Sequence, residues 1–272
     1  RWFRGSLGWK EPTVEFTPPA VRLRAFLNQD VPFIAFDYET DGLEPLVANV
    51  RCIGLGTTEA AVVVGFLSID GASHFYARDE EDELKRELAA WMAAKDKLKG
   101  GWNAGIYDRG IAKRQLGVDP KPLLDGLPLH KAIDSELPHT LGFVTSMMTD
   151  APAWKAAHTA VNARSDQELW DYCAIDTVAN ARILEPLRQA VTVRGQLAVA
   201  LFDHKVQAAC VGMHENGLFI DQERRRDWDV KLRREAIELR DKCRKLASEA
   251  ELNPNSVPQI GKLLFDTWGL PV

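Results

Sequence analysis

Cysteine is scarce in this chain. Its four cysteines, Cys52, Cys173, Cys210 and Cys243, are scattered over 272 residues without a C-x-x-C pair. Neither a zinc-ribbon ligand set nor a small disulfide framework fits that spacing, and reduced, buried thiols in a cytoplasmic protein are expected. Long apolar runs are also missing. The longest, residues 60–67, falls far short of the ~20 apolar residues that cross a bilayer. The first residues show no basic, apolar and small-residue series of the signal-peptide kind. Positive charge is not in excess either, since the formal net charge is −5. That excludes a uniformly basic nucleic-acid coat. It leaves room for an enzyme that gathers carboxylates around metal ions and holds phosphates on a separate basic surface. There is no internal repeat and no low-complexity tract, and the chain begins at Arg1 rather than at a methionine, as expected of a segment of a longer protein.

With 46% hydrophobic and 27% charged residues, the chain can build one large domain or two modest ones. Residues 1–19 carry Trp2 and Trp9 and end in Pro18-Pro19, which reads as an irregular arm. Residues 32–39 form an aromatic-rich apolar run ending in acids, the pattern of a buried strand. Strand-like runs follow at residues 50–56 and 60–66, with residues 74–77 as a possible fourth, and together they suggest an antiparallel meander beside the first strand. Leu84, Leu88, Trp91 and Met92 then share one helical face behind a cap at Asp79, and a second helix starts near Tyr107. Residues 117–164 are rich in Pro, Gly, His and Asp and give only short helical signals. The capping box from Ser165 to Glu168 opens a strong helix. Beyond residues 187–200 a second region begins. Asn216-Gly217 marks a turn before a long helix over residues 222–249. On it Trp228, Leu232, Ala236, Leu239, Cys243 and Leu246 recur three and four apart, the spacing of a helix–helix seam. Asn253-Pro254-Asn255-Ser256 breaks that helix, and a short amphipathic one is expected at residues 259–268. Strands first and helices after indicate an α/β layer arrangement.

Three places carry chemistry. Asp37 and Glu39 alternate on one strand and so project to the same face. Two neighbouring acids in an apolar strand repel each other and are costly to bury unless a cation compensates; solvated acids on an exposed edge strand are the plain alternative. Tyr172 and Asp176, four residues apart, share a helical face with Leu169, Ala179 and Ile183 that packs inward. The alternative there is an aspartate bonded to a neighbouring loop. Asp108 stands at a helix start, where an acid is favoured in any case.

Taken in order, these pieces resemble the exonucleases of the DEDD superfamily. Phe36-Asp37-Tyr38-Glu39-Thr40-Asp41-Gly42-Leu43 is similar to the first exonuclease motif of family A DNA polymerases, Tyr107-Asp108-Arg109-Gly110-Ile111 to the second, and Tyr172-Cys173-Ala174-Ile175-Asp176 to the third. The stretches Leu137 to Phe143 and Pro152-Ala153-Trp154-Lys155 resemble phage members of that family. Met213 to Asp221 and Asn255 to Phe265 resemble the region where the polymerase thumb begins. Position 171 is Asp171 rather than the histidine of the other branch, which indicates the tyrosine branch. Asn103 stands five residues before Asp108, one more than in many relatives. Asp125 resembles a motif-adjacent aspartate, but its neighbours Gly126-Leu127 differ, and it is left out of the metal set.

The resemblance implies a ribonuclease H-like exonuclease fold, a mixed sheet flanked by helices, over residues 31–195. An N-terminal arm (residues 1–30) would precede it, and a helical thumb-like segment (residues 196–272) would follow. It implies 3′→5′ hydrolysis of DNA at a single-stranded or frayed 3′ end, as the proofreading part of a phage or bacterial replication polymerase in the cytoplasm. The palm and fingers would lie outside this chain, and no membrane is involved. Two divalent ions, Mg²⁺ or Mn²⁺, would be held by Asp37, Glu39, Asp108 and Asp176. Asp37 would be shared between the ions, Glu39 and Asp176 would complete the first, and Asp108 would hold the second. Such ions, about 3.5–4 Å apart, suit phosphodiester hydrolysis, and an all-carboxylate set suits a hard cation. Tyr172 and Glu39 would orient the attacking water. Leu43 would wedge beside the terminal base, unless it is a plain core leucine, and Asn103 would contact the strand. Basic residues of the 222–249 helix (Arg224, Arg225, Arg226, Lys231, Arg233, Arg234) could follow duplex phosphates, but interleaved acids make a solvated, salt-bridged face the simpler reading. The six histidines share no spacing and read as structural or exposed. Two other functions compete: a ribonuclease D-like RNA exonuclease, and a silent DNA-binding scaffold of the kind left when polymerase relatives lose their acids.

Overall fold

The strand expected at residues 32–39 is β2 (Ile34–Thr40), and the sheet is built around it. In the computed structural model, residues 7–157 and 163–271 are described. Residues 1–6 of the arm with Trp2, residues 158–162 with His158, and Val272 lie outside the described residues. β3 (Val50–Gly56) and β4 (Ala60–Gly65) follow β2 as the antiparallel meander. β5 (Lys99–Gly101) and β6 (Leu123–Asp125) run parallel to β2 on its other side, and β1 (Thr13–Phe16) pairs parallel with β4. The strand order β1-β4-β3-β2-β5-β6 makes a mixed six-stranded sheet.

Alternation along the strands sorts side chains between two faces. Phe36, Tyr38, Ile53, Leu55, Val62 and Val64 turn to a core shared with Leu23 and Phe26 of α1 (Ala20–Leu27) and with Leu84, Leu88 and Met92 of α2 (Arg78–Ala93). Asp37, Glu39, Cys52, Gly54 and Gly56 therefore face the other way, toward α7 (Asp166–Val193). Ser165 opens α7 as expected, its hydroxyl accepting from the Glu168 N–H at 3.2 Å. The Glu168 carboxylate closes the box one residue early, on the Arg164 N–H at 2.8 Å.

Glycine sets how near α7 can come. A Cβ added at Gly54 would lie 2.7 Å from Cys173 Sγ, and one at Gly56 would lie 2.7 Å from the Thr177 backbone. Both contacts are shorter than side chains tolerate, so the helix sits on the strands with no side chain between them. Between β5 and α7 the chain forms α3 (Tyr107–Leu116), α4 (Gly126–Ile133), α5 (Leu141–Met148) and the short α6 (Trp154–Ala157). Leu129, Val144 and Met148 from this group form a second core with Ile183, Leu184 and Leu187 of α7.

Several expectations are corrected. The arm is not irregular throughout: Thr-Val-Glu-Phe alternates well enough to add β1 to the sheet edge, and Pro18-Pro19 ends it and opens α1. Residues 74–77 give a single bridge, Leu67 to His74, because the chain turns into α2 directly afterwards. Asp79 lies inside the first turn of α2 rather than at its cap, where its charge still favours the helix N-terminus. Cys52 and Cys173 are buried, whereas Cys210 and Cys243 are exposed.

The chain divides into two compact units, Arg1–Asn216 and Gly217–Val272. The division follows the Asn216-Gly217 turn, where Gly217 has φ +64°, rather than residue 195. α8 (Leu197–Asn216) belongs to the first unit, with Ala200, Gln207 and Val211 buried. The second unit holds α9 (Gln222–Ala247), capped by Asp221, then α10 (Val257–Gly261) and a π-helical segment, Lys262–Thr267. None of the described side chains of α9 is buried, so Trp228, Leu232 and Leu239 stay exposed. Among the described residues no helix is long and apolar enough to cross a membrane.

The close approach of α7 makes a prediction. Gly56→Val forces the helix away from β3, and overpacking of this kind costs about 1–3 kcal/mol. The urea midpoint should fall accordingly. Gly212→Ala, at a helical glycine with nothing within 4 Å of an added Cβ, should leave it unchanged or raise it. Equal midpoints for wild type and Gly56→Val would show that the helix is free to shift.

Candidate functional site

The sheet opens beside β2. β5 pairs with β2 only at Ile34 and Ala35, so farther along, the Tyr38 N–H is left on the strand edge. Asp108, in the first turn of α3, takes it: its Oδ1 accepts from Tyr38 N–H at 2.8 Å. The third acid is thereby fixed to the backbone between the first two. From the opposite side α7 brings Tyr172 and Asp176, carried close by Gly54 and Gly56. The structure thus collects Asp37, Glu39, Asp108, Tyr172 and Asp176 about the C-terminal half of β2.

These acids perturb one another. Burial raises Asp37 well above the ordinary carboxylate range, and Asp108 and Asp176 raise it further. Glu39 is raised by burial, then by Asp37 and Asp176. Asp108, only 4% exposed, is pushed by burial to about 7, although the Tyr38 N–H pulls the other way. Asp176 is also raised by burial, with Lys155 as the main opposing influence. Like charges are therefore held together with too little positive charge beside them.

Among the described residues, oxygens of Asp37 and Glu39 converge with Cys173 Sγ within 4.8 Å. The thiol is a poor ligand here. Its bond with Cys52 and its burial raise its pKa, and its S–H points to the Asp37 carbonyl at 3.7 Å. The carboxylates remain as the donor set, which fits a hard divalent cation rather than zinc.

Sequence reasoning missed three groups. Trp154 and Lys155 of α6 both bind Asp176: Trp154 Nε1–H donates to Oδ1 at 2.5 Å and Lys155 Nζ to Oδ2 at 2.6 Å. Lys155 Nζ also donates to the Tyr172 hydroxyl at 2.6 Å. Their only sequence signal was the Pro152 to Lys155 stretch, to which no role was attached. The second group is Tyr107, whose hydroxyl lies 2.5 Å from both Thr40 Oγ1 and the Gly42 carbonyl. It pins the turn that carries Leu43.

The third is Asp125, which is fully buried and whose structural role the sequence did not show. Its carboxylate accepts from the N–H groups of Asn103 (2.8 Å), Gly105 (2.9 Å) and Leu127 (3.0 Å) and from Gln207 of α8 (3.0 Å). The Asp125 N–H donates to His204 Nε2 at 2.7 Å. Both oxygens are occupied in holding the loop where Asn103 adopts φ +63°.

Two clefts flank the acids. One of about 450 Å³ is lined by Asp37, Asp176, Lys155, Asn103, Trp102 and His139. The other, of about 530 Å³, is lined by Glu39, Tyr107, Arg51 and Leu43. Leu43 is 93% exposed, which removes the core-leucine alternative. The histidines act locally: His130 and His139 meet through their Nδ1 atoms at 2.7 Å, and His214 pairs with Glu44.

No protein-family model matches the sequence, and no curated protein matches it. Solved structures do. The chain is similar to NrnC of Brucella melitensis bound to pGG, at 18% identity and a TM-score of 0.57, over 76% of this chain and 95% of that one. NrnC with bound Mg²⁺ gives 18% identity and 0.55, over 75% and 94%. Escherichia coli RNase D, an exoribonuclease involved in structured RNA processing, gives 16% and 0.55, over 75% of this chain and 51% of its own. The likeness establishes the fold: a ribonuclease H-like mixed sheet flanked by helices.

The acid cluster gives a pH prediction. Asp108 titrates near 7 in the folded chain against an ordinary 3.8. Between those values the folded chain keeps a proton that the unfolded chain has released. Stability therefore falls as pH rises through that window, and the loss is complete above it; Asp37 and Glu39 act in the same direction. In chelator, the melting temperature should be lower at about pH 8 than at about pH 5. Mn²⁺ should remove most of that slope by taking the protons' place. A metal-free melting temperature that climbs steadily over this range would contradict the cluster.

Proposed function

We propose that this chain is a metal-dependent 3′→5′ exonuclease acting on the 3′ end of DNA, the proofreading part of a family A DNA polymerase. The observation that carries it is the gathering of four buried acids and a tyrosine about β2, with Asp108, Asp176 and Glu39 beside Asp37. Phosphodiester hydrolysis requires a positioned water and neutralisation of charge on the pentacovalent transition state. Two divalent ions, when bound, supply both. Asp37, Glu39, Asp108 and Asp176 would hold them, in the sharing that the resemblance implies. The Mg²⁺ in the similar NrnC structure supports a hard cation.

The remaining residues position the substrate. Glu39 and Tyr172 orient the water. Asn103 meets the strand on one side, and Leu43, on its pinned turn, stacks beside the terminal base on the other. Support for DNA and for a polymerase context comes from the seven stretches of resemblance, including those of the thumb-like segment after Met213. On this reading the protein works in the cytoplasmic replication machinery of a phage or bacterium, with palm and fingers in the rest of the molecule. One observation favours an RNA exonuclease: the similar solved structures include an exoribonuclease, RNase D.

The test uses 5′-labelled DNA and RNA strands of one sequence. A descending ladder on DNA with Mg²⁺ or Mn²⁺, faster on single strands than on duplex and absent in chelator, is expected. A ladder on RNA alone would favour the ribonuclease reading, and none on either would sink the proposal. Asp37→Ala should abolish hydrolysis, and Asp176→Ala should come close. Tyr172→Phe should cost about 10²-fold or less, since a positioned hydrogen bond is worth about 10²–10³ in rate. Leu43→Ala should slow terminal hydrolysis without changing the melting temperature; unchanged hydrolysis would refute the wedge.

A further inference from the structure

We infer that Lys155 is a positioning residue of this site, fixing the direction of the Tyr172 hydroxyl proton. The inference rests on the hydrolytic reading above. Lys155 Nζ lies 2.6 Å from the Tyr172 hydroxyl oxygen and 2.6 Å from Asp176 Oδ2. An ammonium donates and never accepts, so the phenol oxygen is the acceptor and the phenol proton must point away from Lys155. Tyr172 thereby keeps its proton for an acceptor other than Lys155: the neighbouring Asp176 carboxylate, or a water or phosphate oxygen.

The lysine is held in place. Its Nζ stands 4.6 Å from the centre of the Tyr172 ring. Its stem runs over Gly142 of α5, where an added Cβ would come within 3.1 Å of Lys155 Cδ and 3.4 Å of Cγ. Trp154, its neighbour, fixes the other oxygen of Asp176, so two consecutive residues clamp one carboxylate. The side chain remains 29% exposed, which leaves the ammonium at the wall of the cleft that Asp37 and Asp176 line.

A plain ion pair tying α6 to α7 is the competing explanation, and the two differ in how Lys155 and Tyr172 couple. Single-turnover rates and KM on a 5′-labelled DNA strand with Mg²⁺ are measured for wild type, Asp37→Ala, Lys155→Met, Tyr172→Phe, Lys155→Met/Tyr172→Phe and Lys155→Arg, each with a melting curve. Lys155→Met should lower the single-turnover rate by about tenfold to a hundredfold, at or below the loss of one positioned donor. KM should stay within about threefold, because transition-state contacts are lost rather than uniform binding. The double variant should be no slower than Tyr172→Phe, because the lysine acts through the hydroxyl. Lys155→Arg, also donor-only, should recover part of the loss.

Additive losses in the double variant, or a wild-type rate for Lys155→Met, would overturn the inference. If Lys155→Met does not melt cooperatively, the same cycle is run on Lys155→Gln with the same criterion. Inactive wild type, or Asp37→Ala as active as wild type, would instead overturn the hydrolytic reading itself.

Discussion

Helix α7 rests on β3 with only glycine hydrogens between them at residues 54 and 56, and the approach of Tyr172 and Asp176 to the strand acids depends on that contact. In the antiparallel register Asp37 stands opposite Gly54 and Glu39 opposite Cys52, so the two acids sit beside the groove into which α7 drops. A side chain at either glycine would lift Tyr172 and Asp176 away from the strand. Small residues at the seam let the helix carry its carboxylate to where another carboxylate already stands. The protein thus spends packing freedom to force like charges together, which only a cation or a proton can relieve.

Asp125 shows how burial can be accommodated differently. It is as buried as any acid in the chain, yet four donors meet its two oxygens. Asp37 and Glu39 share a side-chain hydrogen bond and otherwise face other acids. Two kinds of buried carboxylate therefore lie in one sheet, on β6 and on β2 with β5 between them: Asp125 is satisfied by amides and serves the loop, whereas Asp37 and Glu39 are left in want of positive charge. Donor satisfaction, rather than burial, separates Asp125 from Asp37 and Glu39; Asp176, whose oxygens take Trp154 and Lys155, stands between the two kinds. The same loop ties the site to α8 through Gln207 and His204, so the helix that ends the first unit helps to hold Asn103.

Much of this was legible in the sequence where local pattern and tertiary role coincide. The alternation Phe36, Asp37, Tyr38, Glu39 fixed which residues face α2 and which face α7, because period two leaves no other choice. The Ser165 box marked the start of α7, and the helical spacing of Leu84, Leu88, Trp91 and Met92 marked the buried face of α2. What stayed hidden depends on contacts between distant segments. β1 is four residues long and is stabilised by β4, some 45 residues away, so it has no signature of its own. Lys155 lies on a four-residue helix in a stretch rich in turn formers, and nothing local says that it points at Asp176. The expected boundary near residue 195 and the division into compact units at Asn216 differ by α8, which has little amphipathic contrast although three of its residues are buried.

The exposure of Leu43 completes the physical picture. Leaving a leucine in water forgoes about 1.5–3 kcal/mol of burial, and a mobile loop would let it collapse onto the nearby core. Here Thr40, Tyr107 and the Gly42 carbonyl are bonded together beneath it, which denies the turn that collapse. An apolar side chain held outward by partly buried polar bonds, beside a cleft that also contains Glu39, is preorganised for a flat apolar partner. Any base that stacks there recovers the forgone burial energy without a further cost of ordering the loop. Under the exonuclease proposal that partner would be the terminal base of a strand.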